Sequence, residues 1–256
     1  MKRNHLTTLI AVVCMLSMAV TALAENVLLD FGTMDTYRGW DAKSPDDNGN
    51  YWNPVDSTAY YQNLVDTEGN ATTIDMGFVS GFVGGMDSYN GPAGATTVTG
   101  PGNASADFSN AVECIAGDIS GDQAAVFDYF IDSGFVLNEL DPTKVYNLHF
   151  FGSKKYDSDD TVTEYGTYTD NEFTTMYESV QLNVHTPGFE WNINTNRTAV
   201  ITNATKTAGN SIHVYFDSAS GGNGYLNTMM IEIVPEPALL GAGVIAVALI
   251  ARRKLS

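Results

Sequence analysis

Apolar residues recur with a period of two along most of the chain, which is the alternation of half-buried β-strands. The segments are rich in Val, Ile, Phe and Tyr, and clusters of Gly, Asn, Asp and Pro separate them. The predicted strands are 27–31, 74–78, 126–131, 145–151, 180–184, 212–216 and 226–234. A short helix is the alternative within 111–130, and the Gly-rich segment 81–102 is predicted to form long loops. The pattern predicts an all-β fold, an antiparallel β-sandwich of the jelly-roll type.

The first 24 residues have the parts of an export signal. Lys2 and Arg3 precede an apolar core at 6–20, and a small-x-small sequence ends at Ala24. A lipoprotein signal at Cys14 is excluded, because Cys14 lies inside that apolar core. We expect the Sec machinery to export the chain and signal peptidase to cut it after Ala24.

The other end of the chain has a tail in three parts. Pro235 and Pro237 hold the backbone extended and present Glu236, and the apolar run 238–251 follows. Three cations then end the run: Arg252, Arg253 and Lys254. The run is shorter than the roughly 20 residues of a comfortable membrane span. It therefore favours a transient membrane stop, with a plain single-span anchor as the alternative.

This tail resembles the PEP-CTERM sorting signal of Gram-negative bacteria in its triplet, its Gly- and Ala-rich apolar run and its basic end. The resemblance covers residues 234–256. It implies recognition by an exosortase, cleavage near the triplet, and release to the cell surface or extracellular matrix. The predicted organisation is a signal peptide at 1–24, one ectodomain at 25–234 and a sorting tail at 235–256.

The ectodomain is strongly acidic. The two terminal signals hold five of the 12 basic residues and one of the 30 acidic residues, which leaves 7 and 29 and a formal charge of −22. Such a charge repels polyanions, so the sequence argues against binding of DNA or RNA. It keeps an exported protein soluble, and it also attracts divalent cations.

Several short motifs occur in the same order in a second group of proteins. They are VLLDFG at 27–32, SPDDNGNYWN at 44–53, YNLHFFGS at 146–153, GYLNTM at 224–229 and IEI at 231–233. Together they resemble the galactose-binding-like jelly-roll ectodomains of PEP-CTERM proteins and of modules beside secreted carbohydrate-active enzymes. The related modules often have Arg after Phe-Gly-Ser, whereas Lys154 and Lys155 follow here.

No catalytic motif is evident in the sequence. Gly-x-Ser-x-Gly, His-Glu-x-x-His, a phosphate loop and Gly-x-Gly-x-x-Gly are all absent. His149, His185 and His213 lie in strand-like segments, where core or surface positions are expected rather than a metal site. Cys114 is a lone thiol once the signal peptide is removed, so no intramolecular disulfide is expected. A non-catalytic protein is the main prediction, and a secreted carbohydrate-active hydrolase with an unrecognised carboxylate site is the alternative.

Aromatic residues in Gly-, Asn- and Asp-rich surroundings are candidates for binding a saccharide. They are Trp40, Tyr51, Trp52, Tyr60, Tyr61 and Trp191. Flat rings stack on the faces of sugar rings, and Asn and Asp supply hydrogen-bond acceptors. The alternative is that Tyr51, Trp52 and Trp191 fill the core or pin loops. The expected partner is extracellular polysaccharide.

A structural calcium ion is a further hypothesis. Asp46, Asn48 and Asn50 alternate as the first ligands of an EF-hand loop do, although the Gly and the distal Glu of that motif are missing. The acidic segment 157–160 is a second candidate. A solvated turn is the alternative for each. No other cofactor is expected.

Overall fold

The computed structural model describes residues 25–32, 42, 44–46, 48–88, 97–99, 105–107, 128–154, 161–186, 194 and 197–235. Every regular element in these residues is a β-strand, which confirms the all-β prediction. None of the described residues forms a helix long and apolar enough to cross a membrane. The predicted signal peptide at 1–24 and the apolar run 238–251 lie outside the described residues.

The described residues form fourteen strands. They are β1 Glu25–Phe31, β2 Trp52–Val55, β3 Tyr60–Tyr61, β4 Asp75–Ser88, β5 Thr97–Thr99, β6 Ser105–Asp107, β7 Asp128–Asn138, β8 Lys144–Phe151, β9 Thr161–Tyr168, β10 Met176–His185, β11 Ala199–Ile201, β12 Ile212–Ser218, β13 Tyr225–Leu226 and β14 Thr228–Pro235. The prediction of a loop at 81–102 is wrong at 81–88, where β4 continues, and at 97–99, which forms β5. Residues 128–130 of the helix alternative are also strand.

Two sheets make up the sandwich. The five-stranded sheet has the order β11-β8-β14-β1-β2, and its pairs are antiparallel except for β1 with β2. The seven-stranded sheet has the order β10-β9-β12-β7-β4-β3, with β13 added beside β7. A separate ladder joins β5 and β6.

The main core lies between the two sheets and follows the alternation of the strands. In β12, Ile212, Val214 and Phe216 are fully buried, while the residues between them are half-buried. Ring contacts join the layers: Phe150 of β8 stacks on Tyr165 of β9 with centroids 4.7 Å apart. A core that takes alternate residues from both sheets is typical of a β-sandwich.

A second apolar cluster covers the outer side of the five-stranded sheet. It consists of Leu28, Ala42, Trp52, Phe151 and Met230. Leu28 lies between Met230 and Trp52 in the ladder register, so these three side chains share one row across β14, β1 and β2. The backbone amide of Ala42 donates to Asp30 Oδ2 at 2.6 Å, which ties the segment before β2 onto this face.

Candidate functional site

Trp52 lies in this second cluster rather than at the surface. Its side chain is 2% exposed, and its indole Nε1 donates to Asp46 Oδ2 at 3.0 Å. A ring that stacks on a sugar needs a face open to solvent before the ligand arrives. Trp52 offers none, so its assignment as a sugar platform is corrected: it fills the core, the alternative weighed from the sequence.

The loop before Trp52 is organised around the Asp46 carboxylate. Oδ1 accepts the backbone amides of Asn48 at 2.8 Å and Asn50 at 2.9 Å, and Oδ2 accepts the side-chain amide of Asn50 at 3.2 Å. Burial raises the pKa of Asp46, but the hydrogen bonds from Trp52, Asn50 and Asn48 outweigh it and leave this pKa below its ordinary value. Asp46 is therefore a structural anion that holds the loop on the indole.

A second loop repeats the same arrangement at Asp66. Its carboxylate accepts the amides of Glu68 at 2.9 Å and Asn70 at 2.8 Å, and the side-chain amide of Asn70 at 3.0 Å. Both loops read Asp-x-x-Gly-Asn, and each Gly has a positive φ, +90° at Gly49 and +84° at Gly69. The alternation that resembled a calcium loop is thus the sequence of a recurring turn held by one aspartate. Calcium binding stays a prediction.

Of the other aromatic candidates, Tyr51 and Tyr61 each have contacts of their own. Tyr51 is 37% exposed, and its ring lies over Gly69, where a Cβ would be 3.0 Å from the ring carbons. Tyr61 is half-buried and its hydroxyl donates to Ser57 O at 3.0 Å. Trp40, Trp191 and the acidic segment 157–160 lie outside the described residues.

The three histidines occupy separate strands. His149 Nε2 lies 3.3 Å from Glu232 Oε2 on the outer side of the five-stranded sheet. His213 Nδ1 lies 2.7 Å from Asn171 Oδ1, and His185 is fully buried. Among the residues that the structure describes, no three His, Cys, Asp or Glu side chains are grouped to hold a metal ion.

An aromatic cluster that sequence reasoning missed lies on the outer side of the seven-stranded sheet. It consists of Phe82, Tyr168, Phe173 and Tyr215, and we call it the aromatic face. Phe173 is near-parallel to Tyr215, with centroids 5.2 Å apart and planes at 27°. Edge contacts join Phe173 to Phe82 at 4.9 Å and to Tyr168 at 5.5 Å. All four side chains are half-buried, so part of each ring meets solvent.

Glycines beneath these rings explain how aromatic side chains lie on the sheet. Gly134 and Gly166 flank Tyr215 in the ladder register on the neighbouring strands β7 and β9. A Cβ at Gly134 would run into the ring of Phe173, and one at Gly166 would come within 2.9 Å of the Tyr168 ring. The rings therefore occupy the space that side chains at Gly134 and Gly166 would fill.

Tyr60 extends the aromatic surface along the same side of the sheet. Its ring covers Gly77, where a Cβ would lie 2.7 Å from the nearest ring carbon. It is 53% exposed, and its hydroxyl donates to Asp75 Oδ2 at 2.8 Å. The sequence candidate Tyr60 thus lies on the side of the sheet that carries the aromatic face.

Carboxylates border the aromatic face. Glu164 of β9 is directly opposite Asp217 of β12, and Asp132 of β7 lies near Asp217. Burial raises the pKa of Asp217, and the charge of Glu164 raises it further. Burial also raises the pKa of Asp132; the amide of Gly224 opposes this shift, and Asp217 adds to it. Like charges placed opposite each other on adjacent strands destabilise a sheet, so this row has a stability cost.

The same carboxylates also raise the pKa values of two tyrosines of the aromatic face. Burial, followed by the charges of Asp217 and Glu164, raises the pKa of Tyr168 to about 12. Burial also raises the pKa of Tyr215, with Asp217 and Asp132 adding to the shift. Both phenols are therefore neutral hydrogen-bond donors at ordinary pH.

The arrangement combines apolar ring surface with charged acceptors. Ser179 Oγ donates to Glu164 Oε1 at 2.9 Å, and Gln181 Nε2 lies 3.4 Å from the same oxygen. Rings, phenol hydroxyls and carboxylates on this side of the sheet thus offer stacking surface, hydrogen-bond donors and charged acceptors. Comparison of the chain with protein-family models, with curated proteins and with solved structures gives no match.

Proposed function

We propose that the chain is an exported surface or matrix protein of a Gram-negative bacterium, and that its ectodomain is a non-catalytic module that binds exopolysaccharide. The observation that carries this proposal is the aromatic face beside a row of carboxylates. Aliphatic C–H groups on one side of a sugar ring stack on aromatic rings, while its hydroxyls donate to charged acceptors. The aromatic face and the carboxylates that border it supply these two chemistries on one side of a sheet.

The fold proposed for the ectodomain is a jelly roll of the galactose-binding-like type. Its first and last strands, β1 and β14, are antiparallel neighbours in the five-stranded sheet. Successive strands often change sheet, as β7 to β8, β8 to β9 and β10 to β11 do. Crossing connections between two packed sheets support a jelly roll over a simple up-and-down arrangement.

The proposed route to the surface uses both ends of the chain. Sec export and signal peptidase act at Ala24, and an exosortase then acts near Pro235, Glu236 and Pro237 after the apolar run has stopped transiently in the inner membrane. The described sandwich supports this order of events in one respect. Its last strand, β14, ends at Pro235, so the first residue of the triplet belongs to the folded domain, and Glu236 and Pro237 come next in the chain.

A glycan array tests the proposed binding. The exported protein is compared with a Tyr168→Ala/Tyr215→Ala variant, and Tyr51→Ala is the control because Tyr51 is exposed but lies in the Asp66 loop region. We expect polysaccharide binding by the wild type and the control, and its loss in the double variant. Silence of the wild type on all glycans would contradict the proposal, and release of new reducing ends from a bound glycan would indicate the hydrolase instead.

A further inference from the structure

We propose that the occupant of the aromatic face is a polysaccharide whose sugars carry protonated amino groups, as in a partly de-N-acetylated hexosamine polymer. This inference rests on the proposed function and adds the class of sugar. It is carried by the charge of the surface next to the rings rather than by the rings themselves.

The geometry puts ring surface and negative charge within the reach of one saccharide. Tyr215 and Asp217 are two residues apart on β12 and both point to the outer side of the sheet. Two residues of a strand span about 7 Å. A sugar that stacks on Tyr215 therefore brings its own substituents, or those of the next sugar, to Asp217 and its cross-strand neighbour Glu164.

Within the described residues, Glu164 and Asp132 accept hydrogen bonds from neutral donors, but no cation is paired with these charges. The charged group that shifts the pKa of Asp217 is Glu164, and the one that shifts the pKa of Asp132 is Asp217. No described lysine or arginine forms an ion pair with any of the three. A cationic ligand is attracted by this surface and reduces its internal repulsion, because an ammonium group supplies a countercharge to Asp217 and Glu164, which are opposite each other in the strand register.

Other ligand classes fit less well. A uronic-acid polymer is repelled by the carboxylates and by an ectodomain with a formal charge of −22, from 7 basic and 29 acidic residues. A neutral glucan stacks on the rings but brings no countercharge to the carboxylates. An oligolysine satisfies the charge but has no sugar ring to stack, so the two components together select an amino sugar.

Isothermal titration calorimetry of the exported protein with four hexamers tests this selection. The hexamers are made of glucosamine, N-acetylglucosamine, glucose or galacturonic acid, and hexalysine serves as the charge control. We expect glucosamine hexamer to bind at least tenfold more tightly than its acetylated form at low salt. The difference shrinks as salt is added, because partly exposed charges are screened.

Matched variants assign the effect to the carboxylate row. Asp217→Asn, with Glu164→Gln as a second variant, is expected to abolish most of the preference for the amine. Glu68→Gln removes one charge from an exposed position in the Asp66 loop and is expected to leave the preference unchanged. The inference is overturned by any of three results. These are equal affinity for the glucosamine and N-acetylglucosamine hexamers, equal affinity for the glucosamine hexamer and hexalysine, or binding that depends on added calcium. The proposed function survives such a result if Tyr168→Ala/Tyr215→Ala still abolishes sugar binding, and it fails if no sugar binds at all.

Discussion

Replacing Trp52 with Ala removes a large, 2% exposed side chain from the cluster on the outer side of the five-stranded sheet. Truncation of a buried Trp costs about 3–5 kcal/mol through lost burial and the cavity that remains. The indole donor to Asp46 is lost as well, although the carboxylate keeps the amides of Asn48 and Asn50. At roughly 2–4 °C per kcal/mol for a domain of 150–250 residues, the melting temperature is expected to fall by about 6–20 °C.

Trp52→Phe separates packing from the hydrogen bond in the same assay. It keeps most of the apolar volume and removes the donor to Asp46, so we expect a loss of about 1–3 kcal/mol. Thermal and urea unfolding of both variants, followed by circular dichroism, give the two values. A loss below about 1 kcal/mol for Trp52→Ala, well under the cost of truncating a buried Trp, would refute the placement of this ring in a packed cluster.

Three further predictions concern the aromatic face and the proposed sorting tail. Asp217→Asn is expected to stabilise the domain by about 0.2–1 kcal/mol at pH 7 in urea unfolding, since it removes a like-charge pair. The folded-state pKa of Asp217 is raised, so the charge of Asp217 becomes unfavourable for folding as the pH rises through that pKa. The stability gained by the substitution should therefore vanish in acid. An unchanged or lower stability at pH 7 would contradict the repulsion. Gly134→Ala is expected to displace the ring of Phe173 and weaken glycan binding on an array, whereas Gly209→Ala, where a Cβ has room, should not. Intact-mass analysis of the surface form should show loss of residues 238–256, and a retained Lys254 would contradict sorting by cleavage.

Period-two patterning found the strands whose inward residues are apolar. β12 is predicted closely because inward Ile212, Val214 and Phe216 alternate with His213 and Tyr215, and β1 is predicted from the apolar run at 27–31. β9 was missed, since its inward positions include Thr161, Thr163 and Thr167, which are buried yet carry no apolar signal. The sequence predicts a loop for the glycine-rich part of β4, because Gly85 and its neighbours have low strand propensity. In the structure, ladder pairing with β7 holds this part extended.

The aromatic face could not be predicted from the sequence, for a different reason. Phe82, Phe173 and Tyr215 are far apart in the chain, and they meet only because the sheet order places β4, β7, β12 and β9 side by side. Sheet order depends on non-local pairing, which local patterns do not encode. A partial signal was present, since outward Tyr215 and Asp217 follow the alternation of β12. Trp52 shows the same limit, because its burial depends on partners such as Met230 from the opposite end of the ectodomain.

The most direct test of the account is where a bound oligosaccharide perturbs the protein. Titration of isotope-labelled protein with a glucosamine hexamer, followed by amide chemical shifts, gives this location. The account predicts the largest shifts at Gly166, Tyr168 and Tyr215, on the two central strands of the aromatic face. Shifts confined to the Asp46 and Asp66 loops, or none at saturating sugar, would contradict it.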